Sequence, residues 1–264
     1  MKLCSISSGS SGNCIYVGTD NTHLLIDVGI SGKRIEMGLN SIGQTAKKID
    51  GILITHEHSD HIKGLGVMAR RYHIPIYSTS DTIHALKKSS SLGEIDSTLY
   101  RVIEPNQDFL IGDIVIHPFE TSHDAIHPVC YTFAFEGKKI SIATDLGNYD
   151  DYIKEKLSDS NILFIEANHD VKMLDVGAYP YYLKRRIKSD LGHLSNDSTS
   201  KLICELYHEA LTHIILGHLS TENNMPDVAY ETIKCEIGIQ LKEVAKNVNI
   251  TVALRDQVSA VYHI

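Results

Sequence analysis

The sequence predicts an α/β layered protein, on three observations. Short apolar runs recur along the chain, helix-like segments alternate with them, and compact turns rather than long polar stretches join the two. With 264 residues, 42% of them hydrophobic and 22% charged, the chain can bury a substantial core. No linker, repeat or low-complexity stretch divides it, so a single domain over residues 1–264 is expected.

Cys14-Ile15-Tyr16-Val17 and His23-Leu24-Leu25-Ile26 flank the turn Thr19-Asp20-Asn21 and read as paired strands. Residues 31–40 and 60–72 look helical, and Ile74-Pro75-Ile76-Tyr77 is a short strand. Residues 109–118 form a hairpin around Gly112-Asp113, and 131–135 with 139–143 form another around Glu136-Gly137-Lys138. Ile162-Leu163-Phe164-Ile165 and His213-Ile214-Ile215-Leu216 are short enough to be buried strands. Helices are expected over 199–208 and 227–244, and Arg70-Arg71 as a carboxyl-terminal helix cap.

Five cysteines (Cys4, Cys14, Cys130, Cys204, Cys235), odd in number and without a Cys-x-x-Cys, argue against a disulfide framework and for a reducing compartment. The start of the chain does not read as a secretory leader, and no apolar run is long enough to span a bilayer. A cytoplasmic protein without a membrane partner is expected. The net charge of -8 disfavours a nonspecific nucleic-acid coat, although two bound divalent ions would cancel about half of it locally.

The chemistry concentrates in Thr55-His56-Glu57-His58-Ser59-Asp60-His61, directly after the apolar run Gly51-Ile52-Leu53-Ile54. Imidazole nitrogen and carboxylate oxygen are ligands for borderline divalent metals. Later apolar runs lead to further candidates: His123, Asp145 in Thr144-Asp145-Leu146-Gly147, and His218 in Gly217-His218-Leu219. Carboxyl ends of strands in an α/β fold converge on one edge, so these residues would suit two metals.

His-x-His-x-Asp-His followed by separate His, Asp and His resembles the metallo-β-lactamase superfamily, over Asp27 to His218. The resemblance implies an αββα sandwich with a dinuclear site. By position, His56, His58 and His123 would hold one metal, and Asp60, His61 and His218 the other, with Asp145 bridging. Asp27 would brace the ligand loop. A carboxylate at Asp145, in place of a thiolate, is similar to the phosphodiester hydrolases of the superfamily.

Two metals lower the pKa of bound water and neutralise charge building on phosphorus. Asp60 could orient the water as well as bind metal. The leaving alkoxide needs a proton, and His193, in Gly192-His193-Leu194-Ser195-Asn196, resembles the non-ligand His of ribonuclease Z and related nucleases. Glu166, in Phe164-Ile165-Glu166-Ala167, could hold the His193 ring in one tautomer. His169 could line the pocket or brace Glu166. Tyr179 to Lys188, with Lys184, Arg185, Arg186 and interleaved tyrosines, suits phosphate contacts and stacking, or else a solvated helix face. Small residues around Ser8 and Asn13 could let backbone N–H groups approach an anion, without the ending of a nucleotide P-loop.

Taken nearly end to end, these elements resemble the YycJ (WalJ) family, with His127 standing where an acidic residue is expected. That family resemblance implies a 5′ to 3′ DNA exonuclease in repair; the residues alone imply phosphodiester hydrolysis. Alternatives are a small-molecule hydrolase (a cyclic phosphodiesterase or thioester hydrolase) and a non-catalytic metal- or nucleic-acid-binding module. The histidines suit zinc, and the carboxylates admit manganese or iron.

Overall fold

The structure, a computed structural model, describes residues 1–241 and 248–264. The chain divides into two compact units: Met1–Glu120 with Ala125–Glu136 and Leu254–Ile264, and Thr121–Asp124 with Gly137–Ala253.

In the first unit, β1 (Lys2–Ser7), β2 (Cys14–Gly18) and β3 (His23–Ile26) pair antiparallel, and the Thr19-Asp20-Asn21 turn forms between β2 and β3 as the sequence predicts. Helix α1 (Gly32–Ser41) then carries the chain to β4 (Gly51–Leu53), which runs parallel to β3, as a strand reached through a crossover must. Leu24, Leu25, Ile26, Ile52, Leu53 and Ile54 are fully buried. The register Ile26↔Leu53 sets Asp27 and Thr55 near the same strand ends.

The single helix expected over 60–72 is broken into α2 (Ser59–Ile62) and α3 (Leu65–Tyr72). Gly64 causes the break: its N–H donates to the Val28 carbonyl at 2.7 Å, and a Cβ there would lie 2.3 Å from the Ile30 carbonyl oxygen. Arg70 and Arg71 do lie in the last turn of α3, but they reach away from it. Arg70 donates to the carbonyls of Leu92 and Glu94, and Arg71 pairs with Glu36. After β5 (Ile76–Ser78), α4 (Ser80–Lys88) and β6 (Tyr100–Val102), the hairpin β7 (Phe109–Ile111) and β8 (Ile114–Glu120) turns at Gly112, where φ is +56°. Strand β9 (Val129–Phe135) pairs antiparallel with β8.

The second unit is built on four parallel strands, β10 (Lys138–Ala143), β11 (Ile162–Glu166), β12 (His213–Gly217) and β13 (Asn249–Val252). Helices fill the crossovers: α5 (Asp151–Leu157), then α6 (Val171–Val176), α7 (Tyr181–Ile187) and α8 (Asn196–Leu206), then α9 (Pro226–Gln240). The helix expected over 199–208 begins earlier because Ser195 caps it, its hydroxyl accepting from Ser198 N–H. The part of the 227–244 expectation that falls on 242–247 lies outside the described residues. Residues Ala143, Ile165 and Leu216 stand in register, so Asp145, Glu166 and His218 follow on one edge.

Strand β14 (Tyr262–His263) returns to the first unit and pairs with β1. All five cysteines are free thiols, three of them buried. Among the described residues no helix is long and apolar enough to cross a membrane.

Candidate metal centre

The first unit assembles His56, His58, Asp60 and His61 on the loop after β4 and on α2. Asp27, just past β3, organises them from a buried position with φ +57°. Its Oδ1 accepts the Thr55 N–H and its Oδ2 accepts the Thr55 hydroxyl, each at 2.9 Å, and Oδ2 lies 2.7 Å from His61 Nδ1. The single hydroxyl proton of Thr55 goes to Asp27, so the His56 Nδ1–H donates to Thr55 Oγ1 at 2.9 Å. Both rings are thereby turned to present Nε2. The His56 ring lies 4.1 Å from that of His61 and edge-on to His58 at 4.6 Å between centroids.

Asn13 is buried against this loop. Its Nδ2 lies 3.3 Å from His61 Nε2 and 3.5 Å from Asp60 Oδ2, while its Oδ1 accepts the Gly9 N–H at 3.0 Å. Its side chain is thus turned onto this loop, and Ser8 is likewise buried. Gly29 permits this closeness: a Cβ on it would lie 1.6 Å from the Asp60 carbonyl oxygen.

The second unit assembles His123, Asp145, His218, His193 and Glu166. Oδ1 of Asp145 lies 3.4 Å from His218 Nε2, 3.6 Å from His123 Nε2 and 3.8 Å from His193 Nδ1. His123 Nδ1 donates to the Gly192 carbonyl at 3.1 Å, which turns the lone pair of the neutral ring at Nε2 toward the carboxylates of Asp145 and Asp124. Burial pushes the His123 imidazole below its ordinary pKa, with Asp145 opposing. Acceptor facing acceptor at such distances calls for a cation between them, so the donor set fits a divalent metal. Asp145, Glu166, His193 and His218 each offer a ligand atom within 4.8 Å of the others.

Glu166 is fully buried and its oxygens are spent on other work. Oε1 accepts the N–H groups of Leu146 at 2.9 Å and Leu194 at 2.8 Å; Oε2 accepts the Asp145 N–H and lies 3.1 Å from His193 Nδ1. The carboxylate ties the loop of Asp145 to the loop of His193. Its contact with His193 Nδ1 is the one through which it could hold that ring in one tautomer. Burial alone would push His193 down; the charge and hydrogen bond of Glu166, with Asp145 behind them, hold the imidazole above its ordinary value. The His169 ring makes no hydrogen bond to Glu166, so it is not the brace, and burial pushes it down to about 4.

Two features of the site were not read from the sequence. Asp145 and His218, like Asp27, are non-glycine residues at positive φ, +58° and +54°. Such backbone costs about 1–3 kcal/mol and concentrates at functional sites. Buried asparagines also serve the backbone here: Asn168 Nδ2 donates to the His218 carbonyl at 3.0 Å, and separately the Asn196 and Asn224 amides pair reciprocally. The run of asparagines at 196 and 223–224 was the available signal.

The cations of α7 are exposed or half-buried, and most are already paired. Arg186 makes a bidentate pair with Asp124, Lys184 donates to the Asp175 carbonyl and Lys188 pairs with the Asp175 carboxylate. His127 pairs with Glu120 at 3.1 Å.

The model of the β-lactamase superfamily domain matches residues 22–218. The chain is 40% identical over 224 residues to a protein of Bacillus anthracis named exodeoxyribonuclease YycJ, covering 85% of this chain and 84% of that one. It is 41% identical over 232 residues to exodeoxyribonuclease WalJ of Streptococcus pneumoniae, covering 88% and 86%. Among solved structures, YhfI of Bacillus subtilis, a metallo-β-lactamase fold protein, superposes with a TM-score of 0.69 at 16% identity over 98% of each chain. PqqB of Methylobacterium extorquens does so with 0.72 at 12% identity, over 98% and 100%. The fold is therefore the αββα metallo-β-lactamase sandwich expected, and the chain belongs to the β-lactamase superfamily and, within it, to the YycJ/WalJ family.

Proposed function

We propose that this chain is a divalent-metal-dependent phosphodiester hydrolase that removes nucleotides from DNA, working inward from a 5′ end. The relatives named exodeoxyribonucleases align over most of both lengths, which supports the reaction class and the polymer substrate. The match spans residues of both units, which supports reading 1–264 as one functional domain.

His193 carries the chemical argument. Its ring stacks on His218 at 5.3 Å and lies 5.1 Å from His123, yet its Nδ1 is engaged by Glu166. An imidazole beside the ligand positions but anchored to a carboxylate is free to use Nε2 on a substrate. Glu166 favours its protonated form, which can give the Nε2 proton to the leaving alkoxide oxygen.

Seven side chains would hold two ions: His56, His58, Asp60 and His61 from the first unit, and His123, Asp145 and His218 from the second. What joins the two sets in this reading is the family's order of motifs. Bound there, the ions would supply charge stabilisation at phosphorus and a more acidic water. Asp60, steadied by Asn13, would accept a hydrogen bond from the attacking water and so aim it. The histidines favour zinc, with manganese or iron admitted by the carboxylates. Five free thiols fit a reducing, cytoplasmic setting, and DNA repair is the process that such an exonuclease would serve.

End-labelled DNA, single- and double-stranded, with and without a 5′-phosphate, tests this in zinc and in manganese beside Asp145→Ala. Metal-dependent release of nucleotides from the 5′ end, absent in the variant, is the expected result. Two bound ions and hydrolysis of a small phosphodiester without any cleavage of DNA would move the assignment to a small-molecule hydrolase.

A further inference from the structure

Residues 125–129 form a turn fastened to the loop of the first histidines. The Val129 N–H donates to the Thr55 carbonyl at 3.1 Å, and the Ile126 N–H donates to Glu57 Oε1 at 2.9 Å. Glu57 stands between His56 and His58 in sequence, and its Oε2 is buried without a hydrogen-bond partner. A buried carboxylate satisfied on one oxygen alone is costly, and here that one bond goes to the turn. The His127 carbonyl accepts the hydroxyls of Thr79 at 3.2 Å and Thr82 at 3.4 Å. The His127 ring is flanked by Glu120, 3.1 Å from Nε2, and by Asp81, 3.8 Å from Nδ1.

The turn held in this way presents one side chain to solvent. Among the described residues 121–130, Ile126 alone is exposed, at 59%. Single exposed apolar residues are ordinary on a protein surface. This one differs in its footing, on backbone fixed at both ends and one hydrogen bond from the residue that separates two candidate ligands. A side chain on fixed backbone loses little freedom when something packs against it. The charged groups around the turn include the carboxylates of Glu57, Asp81 and Glu120, which disfavour a phosphate. The part of a nucleotide that suits such a place is the base, whose faces and methyl groups take apolar contact.

We propose that Ile126 packs against a base at the 5′ end of the DNA strand being shortened, and that Glu57 is the positioning residue that holds it there. This rests on reading the chain as a DNA hydrolase, and adds a contact with the base to a site otherwise suited to phosphate. The outer face of a terminal base is open in a duplex end as in a single strand, so the contact serves either.

Two DNA substrates of one sequence test it, one intact and one carrying tetrahydrofuran abasic residues at its 5′-terminal positions. The first cut at the 5′ end is read as kcat/KM on the metal-loaded protein. Ile126→Ser should fall about tenfold on intact DNA and stay within about twofold of the parent on abasic DNA, where there is no base to meet. Ile126→Leu keeps the apolar bulk and should stay within about twofold on both. Glu57→Ala, with metal content measured beside it, should show the same split, and Glu57→Gln, which keeps an oxygen for the Ile126 N–H, should not. Equal rates of Ile126→Ser and the parent on intact DNA, an equal loss on both substrates, or Ile126→Leu as slow as Ile126→Ser would each overturn the proposal. So would abasic DNA left uncut by a parent that cuts the intact one, since this contact accounts for only about tenfold. An equal loss on both substrates in Glu57→Ala would remove Glu57 from its part. No cleavage of either DNA by the parent counts against the DNA-hydrolase reading and takes the proposal with it. Parent cleavage beside any of the overturning results counts against the Ile126 assignment alone.

Discussion

Oε2 of Glu166 lies 3.1 Å from both His193 Nδ1 and the Asp145 backbone nitrogen, so one buried oxygen ties the His193 ring to the loop of Asp145. Replacing it in Glu166→Gln keeps the shape but puts an amide where four donors converge. At least one N–H group then loses its acceptor, at a cost of about 1–3 kcal/mol. Turnover should fall roughly 10- to 100-fold. Urea denaturation and steady-state kinetics check both, and unchanged kcat would remove Glu166 from the positioning role.

His193 and Asp145 should separate cleanly. His193→Ala should retain the metal content of the parent and lose about 10²–10⁴-fold in turnover, as removal of a general acid does. Asp145→Ala should abolish hydrolysis and also lower the metal content. Elemental analysis beside the kinetics decides: a His193→Ala protein that sheds metal would make His193 a ligand.

Asp27 should matter to metal affinity without touching a metal. In Asp27→Asn the left-handed backbone is retained, because asparagine tolerates positive φ, but the charge that turns His61 and steadies Thr55 is gone. Metal affinity should drop about 10- to 100-fold, measured by competition against a chelator. Affinity equal to the parent's would mean that His61 is oriented by other contacts.

His169 makes stability depend on pH. Its folded pKa is pushed by burial to about 4, below the ordinary 6.5, so the unfolded chain takes up the proton first. Stability is therefore lost as pH falls from about 6.5 toward about 4, by roughly 2–3 kcal/mol over that window. Urea denaturation of chelator-treated protein at pH 7.5 and 4.5 should show a smaller loss for His169→Gln than for the parent. Parallel losses would mean that His169 is protonated in the fold.

The candidate site residues were legible in the sequence because metal chemistry restricts ligands to a few side chains. One loop holds four of the candidates, His56, His58, Asp60 and His61, so local spacing alone displays them. The strand runs that lead to Asp145 and His218 were legible for a similar reason, since apolar segments of that length are buried strands. What each side chain does depended on contacts between distant residues. Glu166 and His193 are 27 positions apart, and Asp27 and His61 are 34. Only strand register and loop packing bring such pairs together, and no local pattern encodes them. The break at Gly64 has the same origin, in the carbonyls of Val28 and Ile30. On α7 the sequence displayed a run of cations; the packed structure decided that Arg186 belongs to Asp124 and Lys188 to Asp175, leaving the tyrosines and Arg185 outward. Composition and spacing thus determined which side chains can offer ligand atoms to a metal, while tertiary hydrogen bonds, through the geometry they impose, decided how those atoms are held.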